Sequence, residues 1–316
     1  MADFDVLSFG ETMAMLVADE PGDLAGVNHF HKRIAGADNN VAIGLARLGF
    51  NVAWLSRVGK DSLGRFVVQS LEREGLDCRH VAIDPRHPTG FQFKSRADDG
   101  EDPIVEYFRR GSAASRLTVA DVPAELLQAG HLHATGIPAA LSPTMNEVSH
   151  HLMKSMREAG HSVSFDPNLR PSLWDSQQRM IEQINLLASR AHWVLPGLAE
   201  GQLLTGLDEP RDIAAFYLEQ GADAVAIKLG AQGAYYRDAQ REGYAAAHPV
   251  VRVVDTVGAG DGFAVGVISA LLEKLDLADA VDRGNWVGSL AVQSPGDMEG
   301  LPNRQALLDR TLARSA

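Results

Sequence analysis

From about residue 51 onward, short apolar runs alternate with longer segments whose apolar residues recur every three to four positions. The runs VAWLSRV (52–58), SVSF (162–165), WVLP (193–196) and AVAIKL (224–229) predict strands. Between them, DSLGRFVVQSLEREG predicts a helix with Asp61 as N-cap, a stripe of Leu63, Phe66, Val67 and Leu71, and Gly75 just past its end. NNVAIGLARLGF predicts another, burying Val41, Leu45 and Leu48 and closed by Gly49. After residue 259 the pattern is mainly helical, and no internal repeat is present. Alternation of this kind predicts an α/β fold, a mostly parallel sheet covered by helices on both faces.

Two stretches break the pattern. Residues 12–34 and 88–111 lack helical periodicity, and GFQFKSR and IVEYFRR alternate as half-exposed strands do. They read either as pieces of a small separate sheet or as an antiparallel edge of the main one. A period of two turns Val105, Tyr107 and Arg109 to one face, groups Phe91, Phe93 and Ser95 likewise, and leaves Arg110 facing solvent. As a separate sheet over the strand ends they form a lid that excludes water. The expected division is then a core of residues 1–11, 35–87 and 112–316 and a β lid of 12–34 and 88–111.

Composition narrows the function classes. A chain of 316 residues, 45% hydrophobic and 22% charged, is long enough for a large core and has no low-complexity tract. No apolar run reaches membrane-span length, and the start MADFDVLSFGE lacks a signal-peptide layout, so a cytoplasmic protein is expected. The single cysteine, Cys78, excludes an internal disulfide and suits packing. A formal charge of −12 speaks against nucleic-acid or anionic-membrane partners and for small ones. If those partners are anions, each well-placed cation is informative.

The chemistry concentrates in DTVGAGDGFAVGVISALLE (255–273), where a glycine-rich turn runs into an apolar helix. Gly258 and Gly260 let a ligand approach the main chain, and the first helical turn leaves N–H groups without intrahelical partners. The result is an anion cradle with the carboxylate of Asp261 inside it. That pairing suits phosphoryl transfer to a hydroxyl, in which the terminal phosphate needs N–H donors and the acceptor needs a base. A P-loop is excluded because no Gly-Lys-Ser/Thr end is present, and a dinucleotide fingerprint fails because its last glycine position is Phe263. The bland alternative is a tight turn against a helix; Asp255, Thr256 and Asp261 around it weigh against that.

Over nearly its whole length the chain resembles the ribokinase-like, or PfkB, family of carbohydrate kinases. The resemblance is carried by AGADNNVAIGLARLG (35–49) and DTVGAGDGFAVGVISALL (255–272). It implies a Rossmann-like α/β core with a β lid, and ATP-dependent phosphorylation of a sugar hydroxyl. Asp261 then matches the family base, and the N–H groups of Gly258, Ala259 and Gly260 its anion hole. Within the family, VEYFRRGSAAS (105–115), SFDPNLRPSLW (164–174) and LPGLAEGQLLTG (195–206) resemble kinases of 2-keto-3-deoxygluconate and 2-ketogluconate. A keto acid carries a carboxylate that neutral sugars lack, so its pocket needs a cation, preferably a forked arginine. By resemblance Arg170 holds that carboxylate, Tyr107 and Arg109 contact it from the lid, and Gly36 and Asn40 bind hydroxyls.

On the nucleotide side Lys228, Gly230 and Gly233 resemble the ATP loop and Asn285 a residue near the adenine, although Lys228 equally fits a structural ion pair. Glu200 resembles the acidic end of an Asn-x-x-Glu motif tied to magnesium through water; Gly197 stands at its Asn position. Asp255 and Thr256 resemble ligands of a monovalent cation such as K+. His131 with His133, and His29 with His31, share spacing but have no nearby carboxylate in sequence and are assigned no metal. The expectation is an ATP- and Mg2+-dependent kinase of the terminal (C6) hydroxyl of a 2-keto sugar acid, acting as a homodimer or higher homo-oligomer. The alternatives are a kinase of a neutral sugar such as fructose or ribose, and a non-catalytic nucleotide or sugar-acid sensor.

Overall fold

The computed structural model describes residues 4–96 and 103–315. In chain order its strands are β1 (Val6–Phe9), β2 (Met13–Pro21), β3 (Phe30–Ala35), β4 (Val52–Gly59), β5 (Val81–Asp84), β6 (Phe91–Arg96), β7 (Val105–Phe108), β8 (His131–Thr135), β9 (Ser162–Asp166), β10 (Trp193–Val194), β11 (Ala224–Lys228), β12 (Ala234–Asp238) and β13 (Glu242–Ala245). The α-helices are α1 (Ala37–Arg47), α2 (Ser62–Arg73), α3 (Gly136–Leu141), α4 (Pro143–Glu158), α5 (Gln177–Ala188), α6 (Leu198–Thr205), α7 (Pro210–Glu219), α8 (Ala259–Leu272), α9 (Leu277–Ala291) and α10 (Arg304–Ser315). No helix among the described residues is long and apolar enough to cross a membrane.

The main sheet has nine strands in the order β13-β12-β11-β10-β9-β8-β1-β4-β5. Pairing is parallel from β11 to β5, and β12 and β13 add an antiparallel margin. Alternation along single strands feeds two cores. Leu7, Phe9, Ala53 and Leu55 face one with α4 and α5, whereas Val6, Val52 and Trp54 face the other with α1, α8 and α9. The expected caps form: the Asp61 carboxylate accepts the Gly64 N–H at 2.7 Å, and Gly49 and Gly75 close their helices with positive φ. The run WVLP yields only a two-residue strand, because Pro196 and Gly197 turn the chain into α6.

A second sheet of four strands, ordered β3-β2-β6-β7, stands apart from the first. The segments that broke the helical pattern therefore form their own sheet rather than an edge of the main one. Residues 97–102 of the expected lid lie outside the described residues. In register Gln92 opposes Tyr107 and Lys94 opposes Val105, so Gln92, Lys94, Val105 and Tyr107 share one face. The other face carries Phe91, Phe93 and Phe108; Phe91 stacks on Phe108 at 4.8 Å between ring centres, and Phe30 meets Phe93 at 5.2 Å.

Candidate active site

The site lies beyond the carboxyl ends of the parallel strands, where an open α/β sheet leaves a crevice. Asp166 is the last residue of β9 and Lys228 the last of β11. Helix α8 aims its N-terminus into the same space. Gly258 caps it at φ 81°, and a methyl group there would lie 2.1 Å from the Asp297 carbonyl oxygen, so only glycine fits. The Gly262 N–H bonds back to the Gly258 carbonyl at 2.8 Å, which starts the helix and leaves the N–H groups before it to face a ligand.

Asp261 sits in the first turn of α8, buried. Its Oδ2 accepts the Asn40 amide at 2.8 Å and its Oδ1 the Asn168 amide at 3.5 Å. Burial pushes its pKa up to about 7; the Asn40 hydrogen bond opposes this, and the carboxylates of Asp166 and Asp297 add to it. Asn168 adopts a left-handed backbone with φ 40°, uncommon for a non-glycine residue, and its N–H returns to Asp166 at 3.2 Å. That local turn directs its amide at Asp261.

Lys228 bonds Asp166 at 2.6 Å. Burial works against the lysine's charge, but Asp166 and Glu200 outweigh it and raise its pKa; burial lifts Asp166 to about 6. Both are ionised at neutral pH. The two readings of Lys228 thus coincide in one side chain, which pairs with Asp166 and also borders the cavities. Glu200 accepts the Gly197 N–H at Oε2 and the Leu169 N–H at Oε1, each at 2.7 Å. With no Asn side chain at 197, the carboxylate closes the first turn of α6 and pins the loop that carries Asn168.

Two cavities meet here. One of about 480 Å³ lies under the second sheet and is bordered by Gly36, Asn40, Tyr107, Arg109, Arg170, Gly258, Gly260 and Asp261. The other, of about 810 Å³, is bordered by Gly230, Gly233, Ala259 and Asn285. Glu200, Lys228, Thr256 and Gly260 border both. Asn285 donates to the carbonyls of Ala245 and Ala246 at 2.9 and 3.0 Å, so its amide hydrogens hold the loop after β13. Asp255 borders neither; it faces a third space of about 490 Å³ beside the second sheet.

The two arginines expected to meet a carboxylate differ. Arg109 is largely buried and already bonds Glu11 at 2.7 Å, whereas Arg170 is exposed at the rim and, among the described residues, bonds only the Leu169 carbonyl, at 2.9 Å. Glu11 Oε1 and Asp38 Oδ1 are buried without a hydrogen-bond partner among the described residues. Burial raises Asp38 to about 7, with a Thr135 hydrogen bond opposing and Asp261 adding to the shift. Glu11, Asp38, Lys94, Asp166 and Asn168 border the smaller cavity and were not singled out from sequence. Asp38 lies inside AGADNN and Asp166 and Asn168 inside SFDPNLR, so those motifs contained the signal. Glu11 and Lys94 lacked one, since their partners come from distant segments.

The histidines separate into two kinds. His131 and His133 are buried on β8 and share the Ser164 hydroxyl at 2.8 and 2.9 Å; burial holds His131 well below its usual range and His133 at about 3. His29 and His31 do meet carboxylates, Glu20 at 2.8 Å and Asp19 at 2.6 Å, because antiparallel pairing of β2 and β3 brings the two segments alongside each other. The expectation that they lacked such neighbours is corrected. No group of three or more metal-binding side chains occurs among the described residues. Cys78 is half-buried, and burial pushes its thiol up to about 12.

Comparison with known proteins gives a consistent family. The model of the pfkB family carbohydrate kinases matches residues 3–304. A 2-dehydro-3-deoxygluconokinase of Bacillus subtilis is 54% identical over 96% of this chain and 94% of its own. The crystal structure of a PfkB protein from Polaromonas sp. superposes with a TM-score of 0.90 at 53% identity, covering 96% of this chain and 99% of that one. A double mutant of the fructokinase from Vibrio cholerae, bound to fructose, ADP and potassium, gives 0.84 at 30% identity over 98% of this chain and 99% of its own.

Proposed function

This chain belongs to the pfkB family of carbohydrate kinases, and we propose that it moves the terminal phosphoryl group of ATP to the C6 hydroxyl of a 2-keto sugar acid, 2-keto-3-deoxygluconate first. As a member of that family it is a phosphotransferase with an alcohol acceptor. The observation that carries the proposal is Asp261 with its glycine turn at the junction of two cavities, the smaller of which borders Arg109 and Arg170. The 3-deoxy acid is preferred over 2-ketogluconate because of the Bacillus relative.

In this reading the acid lies in the smaller cavity with its carboxylate against Arg170, while Arg109, engaged by Glu11, shapes the wall. Its terminal hydroxyl meets Asp261. The carboxylate takes the hydroxyl proton as the new O–P bond forms, and the bond from the phosphorus to the bridging oxygen of ADP breaks with its electron pair leaving on ADP. The N–H groups of Gly258, Ala259 and Gly260 receive the transferring phosphoryl oxygens, and Lys228 adds fixed positive charge. A pKa of about 7 suits Asp261, since a general base works best near the operating pH.

Magnesium fits this junction. Asp166, Glu200 and Asp261 all act on the ammonium of Lys228, and burial raises Asp166 to about 6 and Asp261 to about 7, with neighbouring carboxylates adding to both shifts. Oxygen donors of this kind suit a hydrated dication, with Asp166 and Glu200 holding it through water. Asp166 and Glu200 would hold such an ion, and it would supply positive charge against the charge that develops on the transferring phosphoryl group. The monovalent ion expected at Asp255 is a different matter, since that carboxylate already faces the Lys94 ammonium at 2.9 Å.

The aromatic face of the second sheet, with Phe108 nearly half exposed, supports a homodimer built on that sheet; light scattering at micromolar concentration should give twice the chain mass. The function itself is tested by ADP release with Mg-ATP against both keto acids, gluconate and fructose. Preference for 2-keto-3-deoxygluconate in kcat/KM is expected. Preference for fructose would overturn the substrate class, and no turnover together with measurable ATP binding would favour a sensor.

A further inference from the structure

We propose that the Lys94 ammonium is this protein's built-in monovalent cation, carried to the phosphate-binding turn by the second sheet in place of a bound ion. The proposal rests on reading the glycine turn as the phosphoryl site. That turn is held from two sides. Asp255 Oδ1 accepts the Val257 N–H at 3.0 Å and fixes the chain entering the turn. Asp297 presses from outside, its carbonyl oxygen so close to Gly258 that no methyl fits between them.

These two carboxylates repel one another, and Lys94 stands between them. Its Nζ lies 2.9 Å from Asp255 Oδ2 and 3.4 Å from Asp297 Oδ1, with 8% of the lysine side chain exposed. Burial opposes the ammonium's charge, but Asp297 and Asp255 outweigh it and raise its pKa, so it stays protonated at neutral pH. A lysine head is a compact point charge with three donors, which lets two carboxylates surround it as they would an inorganic cation. A further cation at the same oxygens would meet like charge within a few ångströms in a poorly solvated setting. The monovalent-ion role expected of Asp255 therefore does not fit this chain.

Lys94 belongs to β6, and its partners lie 161 and 203 residues away in the core. Arg33, on β3 of the same sheet, reaches the neighbouring loop as well, bonding Glu299 at 2.7 Å and the Pro295 carbonyl at 3.0 Å. Neutralisation of Asp255 and Asp297 is thus tied to the second sheet being seated. Lys94 is a positioning residue that acts through those carboxylates.

The test compares the wild type with Lys94→Met in choline, potassium and ammonium chloride at equal ionic strength, reading kcat/KM and melting temperature. The wild type should give the same values in all three salts. In choline Lys94→Met should lose roughly 10- to 100-fold in kcat/KM and melt roughly 5 °C lower, with both recovering in potassium or ammonium. Adding Asp255→Asn to Lys94→Met should abolish the salt response. A wild type that needs potassium, an unimpaired Lys94→Met, or an impaired one that no cation rescues would each overturn the proposal. If Lys94→Met does not fold, Lys94→Gln takes its place with the same expectations. Absence of turnover by the wild type in every salt would count against the functional reading alone, because the melting curves still decide on Lys94.

Discussion

The two cavities that meet at Lys228 and Gly260 are walled in different ways. The larger is bordered by residues 197–292, by backbone and small or apolar groups such as Gly230, Gly233, Ala259 and Phe263. The smaller draws Glu11, Asp38, Lys94, Arg109, Asp166 and Asp261 from segments spread between residues 11 and 297. In the proposed reading the larger cavity takes the nucleotide, which presents much the same shape to every kinase, so local turns suffice to hold it. An acceptor must be told from its analogues by charge and hydroxyl pattern, which needs side chains converging from many directions.

The comparison is broken most severely at the shared junction. Asp261→Asn keeps the Asn40 neighbour but removes the base, and kcat should fall roughly 10²- to 10⁴-fold with the melting temperature little changed. Steady-state kinetics that retain a tenth of the wild-type rate would reject Asp261 as base. Acid should do reversibly what the mutation does permanently. The base must be ionised, so with a folded pKa of about 7 the rate rises with pH up to that value and levels above it. Two pH units below, roughly one molecule in a hundred is competent, and kcat/KM should fall by about 100-fold; a flat profile down to pH 5 would contradict this.

Effects confined to one cavity should be smaller and should separate the two. Arg170→Ala removes a charge-assisted contact worth about 1.5 to 3 kcal/mol, raising KM for the keto acid while leaving KM for ATP unchanged. An unchanged KM for the acid would assign its carboxylate elsewhere. Asn285→Ala loses two neutral hydrogen bonds to the loop after β13 and should raise KM for ATP by roughly three- to tenfold, without altering the acid's KM. A rise in both constants would mean that the cavities are not independent.

Much of the wall of the larger cavity was legible in the chain. The glycine turn runs directly into α8, and Lys228 ends its own strand, so the geometry of each follows from local backbone rules. The second sheet was legible too as a break from helical period into a period of two. What stayed hidden was the identity of partners. Period two gave Phe91 and Phe93 a common face, yet that Gln92 and Lys94 face the smaller cavity needed the cross-strand register with Val105 and Tyr107. Arg109 and Arg170 looked alike in sequence, and only the fold separates a buried arginine paired with Glu11 from an exposed one at the rim.

By itself, then, the order of residues determined the α/β architecture, the glycine turn before α8 and the carboxylate within it, because hydrophobic period, capping and glycine conformations act over a few neighbouring positions. Tertiary structure alone decided which charges neutralise which. Glu11 with Arg109, Asp166 with Lys228, and Asp255 with Lys94 are separated by 98, 62 and 161 residues. An ion pair depends on distance through space and on burial, and neither is written in the spacing along the chain.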